Sequence, residues 1–268
     1  MNDWLRQNLA CEITDEKFNV MEKYMELVLY ANKSLNLTAI TDRRDFFVKH
    51  IIDSLTLSEF VQKNCELLDV GTGAGFPGVV LKIAHDGINL TLLEAKKKKV
   101  DFLTYALGAI GVCATVIHGR SEELVHSSKR KQSVVLSTEK KITFRRDLRL
   151  LATENTEKIL EDVFRREYMP NSKMHLPIGK SSEKAPLHPH QFDVVTARAV
   201  GRLDKLVKSC FPLVNAGGVL LAMKGPDVCA ELDEAQGVIK RLGGLVQDVR
   251  KLNLPGGDGR TIVVIRRC

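Results

Sequence analysis

Between Leu67 and Gly78 the chain reads Leu-Leu-Asp-Val-Gly-Thr-Gly-Ala-Gly-Phe-Pro-Gly. A short apolar run stops on a carboxylate and passes at once into alternating glycines. A proline and a further glycine then open a helix. Strand, glycine turn and helix start in that order form the ligand-binding corner of an open α/β sheet. The glycines permit a sharp turn and a close approach, and the helix N-terminus presents unpaired N–H groups. Each glycine also costs backbone entropy, so four of them in an idle turn are poorly motivated.

The spacing alone leaves two ligands open. Gly73, Gly75 and Gly78 spell the dinucleotide fingerprint, with Glu94 about twenty residues on. An extra glycine, Gly71, lengthens the turn, and Asp69 would set its negative charge against a pyrophosphate. The same carboxylate suits a cationic or hydroxyl-bearing ligand such as S-adenosylmethionine, which carries an ammonium and a sulfonium. Glu94 closes the apolar run Leu90 to Leu93, where it would accept hydrogen bonds from ribose hydroxyls.

Bulk properties narrow the class. With 268 residues, 44% of them hydrophobic, the chain can bury one large core with an appendage. No apolar run reaches about 18 residues, so no membrane span is expected, and the first residues lack the basic-then-apolar order of a secretory signal. The six cysteines form no C-x-x-C pair and no zinc-like His/Cys cluster. A cytoplasmic monomer with reduced thiols and no metal is expected. A net charge of +7 points to an anionic partner without choosing between nucleic acid and phosphorylated metabolites.

The apolar periodicity predicts helices over 14–34 and from Asp42 or Arg43 to Leu57, a helical cap over residues 1–62. From residue 63 on, strands and helices alternate. Strands are expected at 67–70, 90–93, 114–118, 192–196, 219–223, 245–252 and 261–265, and helices at 77–84, 97–110, 203–213 and 227–242. Pro255-Gly-Gly-Asp-Gly259 reads as the turn of a final hairpin. The expected fold is a mostly parallel seven-stranded sheet with helices on both faces and one antiparallel strand. Residues 127–190 break the alternation. They hold 14 Lys/Arg against 8 Asp/Glu, nearly the whole positive surplus. Residues 154–168 read as one amphipathic helix, and the rest of this basic insertion reads as either a solvated excursion or an arm for phosphate contacts.

The loop D-x-G-x-G-x-G resembles motif I of class I (Rossmann-like) S-adenosylmethionine-dependent methyltransferases. An ordered set of further segments resembles the bacterial 16S ribosomal RNA guanine-N7 methyltransferases, the glucose-inhibited division protein B family. These segments are Asn36-Leu-Thr38, Lys49-His-Ile-Ile-Asp-Ser54, Lys98-Lys-Val-Asp-Phe-Leu103, Gly119-Arg-Ser-Glu-Glu123, Ala197-Arg-Ala199 and Met223-Lys-Gly225. The resemblance covers most of 16–123 and 192–266, and the basic insertion departs from it. It implies S-adenosylmethionine as cofactor, 16S ribosomal RNA as partner, and cofactor contacts from Gly71, Phe76, Ser121, Glu122 and Arg198. Gly73 and Gly75 complete the loop.

Three further features have competing readings. His50 and Asp53 lie i,i+3 on a helix and read as a His–Asp contact stiffening it, with direct substrate contact as the alternative. Lys224 follows a strand, as a substrate contact or a surface charge. Lys96 to Lys99 oppose a helix dipole, as an anion site or a solvated face. No Ser/His/Asp or Cys/His constellation is present, and guanine N7 needs none, because its lone pair is already free. Arg198 or Lys224 would hold phosphate, O6 or the cofactor carboxylate, never N7. Other functions remain open on sequence grounds: methylation of another RNA or small anion, an NAD-dependent oxidoreductase, or a non-catalytic RNA-binding module. Arg198→Ala is expected to lower activity without unfolding the chain, and Gly73→Val to fill the space a cofactor needs.

Overall fold

The computed structural model describes residues 13–126, 133–135, 192–198 and 201–268. Helix α1 spans Asp15–Leu35, with the Thr14 side chain accepting from Lys17 N at its start and Asn36 in the left-handed region (φ 50°) at its end. A second helical segment, α2, opens as Arg43–Phe46, continues as a π-helix over Phe47–Ile52 and finishes as Asp53–Leu55. The alternating part then runs β1 Glu66–Val70, α3 Gly78–Ala84, β2 Asn89–Glu94, α4 Lys97–Ile110, β3 Thr115–His118, α5 Ser121–His126 and β4 Ser133–Val135. It resumes with β5 Phe192–Arg198, α6 Leu203–Cys210, β6 Val214–Lys224, α7 Cys229–Arg241, β7 Gly244–Asn253 and β8 Gly259–Arg267.

The sheet order is β4-β3-β2-β1-β5-β6-β8-β7. All seven expected strands are present, and among them only β8 is reversed, pairing antiparallel with both β6 and β7. An eighth strand, β4, joins β3 antiparallel at the edge. It comes from the basic insertion and was not foreseen there. The rest of that insertion, with the helix expected at 154–168, lies outside the described residues.

The strands β1, β2 and β3 step one way from the centre, whereas β5 and β6 step the other way. The carboxyl ends of β1 and β5 therefore meet where the winding reverses, the place where open α/β sheets bind ligands.

Alternation along the strands splits the core in two. Leu67, Leu90, Val116 and Val194 face α1, α3 and α4, joining Met21, Tyr24, Val28 and Phe46 in one apolar cluster. Leu68, Leu93, Val195 and Leu220 face the other way, with Leu206, Val207 and Ile239 of α6 and α7. At about 1.5–3 kcal/mol for each large side chain withdrawn from water, these two layers dominate the stability. Phe18, which shares the apolar spacing of α1, is 37% exposed and leans on the Phe47 ring.

Candidate active site

The glycine loop is held by two buried carboxylates. Asp69, fully buried at the end of β1, accepts from Thr72 Oγ1 at 2.6 Å, Gly78 N at 3.0 Å and, across on β5, Thr196 Oγ1 at 3.2 Å. Burial pushes its pKa up to about 6, and those hydrogen bonds oppose the shift. The expectation that Asp69 faces a ligand is therefore corrected. Its charge is spent clasping the two ends of the loop, and a Cβ on Gly78 would collide with it at 2.9 Å.

Glu94, 6% exposed, accepts from Gly73 N at 3.0 Å through Oε2 and from Lys96 N at 2.8 Å through Oε1. Each oxygen keeps a lone pair for a further donor. Gly71, Gly73 and Gly75 all have positive φ. A Cβ at Gly73 would meet nothing closer than 3.8 Å, so this glycine borders open space.

A cleft of about 210 Å³ opens beside the loop, lined by Leu37, Thr38, His50, Gly71, Thr72, Gly73, Ala74, Phe76 and Arg198. Its aromatic wall is layered. The His50 ring stacks on Phe76 at 4.7 Å, Phe46 meets both edge-on, and the Arg198 guanidinium lies 5.4 Å from the Phe76 centroid.

The polar wall is a chain of hydrogen bonds. Arg198 Nη1 donates to Lys49 O at 3.0 Å and Asp53 Oδ2 at 3.2 Å, and Nη2 donates to His50 Nδ1 at 2.8 Å. A guanidinium only donates, so Nδ1 must accept and Nε2 must carry the proton, which it gives to Thr38 Oγ1 at 2.8 Å. Burial, then the charges of Arg198 and Arg260, push the His50 pKa down to about 3. The ring is neutral at physiological pH. Asp53 is wholly buried between two arginines, with Arg260 Nε donating to its other oxygen at 2.7 Å.

Two expectations change accordingly. His50 and Asp53 do not bond to each other; the π-helical turn between Phe47 and Ile52 places both against Arg198 instead. Arg198 is also no free surface charge, because removing it would strip one of the two partners from a buried carboxylate. Arg198→Ala is thus destabilising as well as damaging to the cleft.

Of the residues expected from sequence, Gly71, Gly73, Phe76, His50 and Arg198 line the cleft. Glu94 lies beneath it and Asp53 behind it. Gly75 points away, against Tyr24. Ser121 is buried and hydrogen-bonds the Cys210 thiol, whose pKa burial raises to about 12, while Glu122 is exposed. Neither lines the cleft. Lys224 is elsewhere, its ammonium held by Gly201 O at 2.7 Å and Glu231 at 2.6 Å.

Four polar contributors, besides the apolar Leu37 and Ala74, escaped the sequence reading. Thr38 and Thr72 line the cleft. Arg260 arrives from β8. Asn32 pins the 37–38 turn, accepting from Leu37 N and Thr38 N and donating to Thr38 O. The triplet Asn36-Leu-Thr38 was the available signal for the turn; nothing local announced Arg260.

The family model described as rRNA small subunit methyltransferase G (GidB) matches residues 17–138 and 127–258. The chain belongs to this family. It is 34% identical over 265 residues to the ribosomal RNA small subunit methyltransferase G of Pelotomaculum thermopropionicum, covering 97% of this chain and 87% of that one. To the protein of the same description in Alkaliphilus oremlandii it is 32% identical over 271 residues, covering 97% and 87%. Among solved structures it is similar to an O-methyltransferase from Bacillus cereus in complex with SAH, at 12% identity and TM-score 0.49, covering 98% of this chain and 96% of that one.

The cleft of this family member offers little for proton transfer. Its one histidine is neutral with its lone pair engaged, and no group of three or more potential metal ligands exists among the described residues. What it offers is a fixed, half-apolar space with hydrogen-bond donors on one wall.

Proposed function

We propose that this chain transfers a methyl group from S-adenosylmethionine to N7 of a guanine in 16S ribosomal RNA. The observation that carries the reading is the family match, which takes in the glycine loop, both helices over the cleft and Arg198. The geometry suits the cofactor. Gly73 leaves room at the loop, Glu94 has lone pairs for ribose hydroxyls, and Arg198 keeps an Nη2 hydrogen and its Nε–H for a carboxylate. The cofactor, when bound, supplies the electrophilic methyl.

The residues act by placement. Phe76 and Leu37 exclude water from the line of attack, and the loop fixes the distance of approach. Guanine N7 needs no base, which agrees with a cleft whose imidazole is committed. Asp53 and His50 serve as positioning groups for Arg198, Ser121 and Glu122 border the adenine end, and Lys224 is structural. The helices up to residue 62 cap the cofactor domain formed by 63–268, in a cytoplasmic monomer whose basic insertion adds contacts to RNA.

N7 of guanine is buried in the deep groove of an RNA duplex, so the target lies in a loop or is splayed out. Mapping N7-methylguanine in 16S RNA by borohydride–aniline cleavage, from cells with and without the gene, tests the reading. One cleavage site should disappear in the deletion and return with the plasmid-borne gene. An unchanged pattern, together with calorimetric binding of NAD and not of S-adenosylhomocysteine, would replace it with the oxidoreductase alternative.

A further inference from the structure

Thr38 has an unusual valence problem. Its Oγ1 accepts from His50 Nε2 at 2.8 Å and from Ile40 N at 3.1 Å. A hydroxyl has two lone pairs, and both are taken. The direction of the first bond is forced, because Arg198 occupies His50 Nδ1 and the ring does not take a second proton. The Thr38 hydroxyl is therefore a donor that cannot accept. Among the described residues its hydrogen has no acceptor, and the residue lines the cleft.

Such a group discriminates sharply. It rewards a ligand atom with a lone pair and no hydrogen, and repels one that brings a hydrogen of its own. The cofactor's needs are met elsewhere: its anionic end by Arg198 and its ribose hydroxyls by Glu94. A neutral, donor-only hydroxyl is matched by a carbonyl. On the edge of guanine that carries N7, the neighbouring carbonyl is O6; adenine has an amino group at that position. Resting on the methyl-transfer reading above, we propose that Thr38 selects guanine by donating its hydroxyl hydrogen to O6, leaving the N7 lone pair free to react.

Asp53, Arg198 and His50 then act through Thr38 as its orienting chain, running from a buried carboxylate to the one hydroxyl of a cleft-lining threonine. Asn32 fixes the backbone that carries it.

The test is a cycle between protein and substrate. Once the methylated position is mapped, full-length wild type, Thr38→Val and Thr38→Ser are assayed by kcat/KM on RNA bearing guanine or 2-aminopurine there; the latter keeps N7 and lacks O6. S-adenosylhomocysteine affinity is measured alongside by calorimetry. Thr38→Val is expected to lose about 10- to 100-fold on guanine and almost nothing further on 2-aminopurine, with cofactor affinity unchanged and Thr38→Ser within about threefold of wild type. Equal losses on both bases mean a merely structural threonine and overturn the proposal. So does a loss of S-adenosylhomocysteine affinity, which would assign the hydroxyl to the cofactor, or no loss at all. If wild type methylates no guanine N7, the underlying reading itself fails, and the first assay separates that case from the others.

Discussion

Replacing Gly75 by alanine tests how the loop is packed. Gly75 has φ +89°, and an added Cβ would lie 2.1 Å from Tyr24 Oη and 2.8 Å from Val79 Cγ2. The tyrosine cannot simply swing out. It is fully buried, packs edge-on against Phe76, and donates to Ala74 O at 2.7 Å. The left-handed backbone costs a non-glycine residue about 1–2 kcal/mol. Overpacking adds about 1–3 kcal/mol, and a displaced buried hydrogen bond about 0.5–1.5 kcal/mol. A total of about 2.5–6.5 kcal/mol is expected, a large share of a typical domain's stability. Urea unfolding of Gly75→Ala, Tyr24→Phe and the double variant measures it. Deleting Oη removes the shortest contact and leaves the one to Val79, so the double variant should be about 1–2 kcal/mol more stable than additivity predicts. Additive values within about 0.5 kcal/mol would refute the claim that the tyrosine hydroxyl and the glycine share one space.

Other outcomes follow from the two carboxylates and the histidine. Glu94→Gln keeps one acceptor oxygen where the loop uses two, so S-adenosylhomocysteine affinity should drop about tenfold or more, as expected for a charge-assisted bond worth about 1.5–3 kcal/mol; unchanged calorimetry would remove Glu94 from the site. The pH dependence of stability has two opposing parts. The His50 pKa is depressed to about 3, so its contribution is full above the ordinary value of 6.5 and is lost as pH falls from there toward 3. The Asp69 pKa is raised to about 6, so its contribution is full below the ordinary 3.8 and is lost as pH rises through 6. Between about pH 6 and 4 the two slopes, each up to about 1.4 kcal/mol per pH unit, offset one another. Chemical denaturation of His50→Gln across that range should uncover the aspartate's slope, with stability rising as pH falls; a flat or opposite slope would contradict the burial argument for Asp69.

The strands and the glycine loop were legible because period-2 apolar runs and glycine punctuation are local signals. β3 starts at Thr115, one residue later than expected, and the other strands run past their expected limits by one to several residues: β6 begins at Val214 and was expected from 219, since Asn215, Gly217 and Gly218 disguise its start. The site was legible only in part. Asp69 reads identically whether it faces a ligand or the loop's own amides, and only burial decides. The i,i+3 spacing of His50 and Asp53 implies a shared face on an α-helix, but the π-helical turn changes the angle between them and turns both toward a residue about 145 positions away. Arg260 is further still from Asp53 in sequence, and no local pattern marks it. Lys224 looked like a free cation because its partner, Glu231, belongs to the following helix.

The last hairpin reaches back to the beginning of the chain. Arg260 grips Asp53, Asp258 lies 3.4 Å from Lys49, and Leu254 fills a small apolar pocket with Val48 and Ile52. The wall that carries His50 is therefore braced by the hairpin of β7 and β8. Whatever loosens this hairpin therefore also slackens the cleft, although the two are some two hundred residues apart along the backbone.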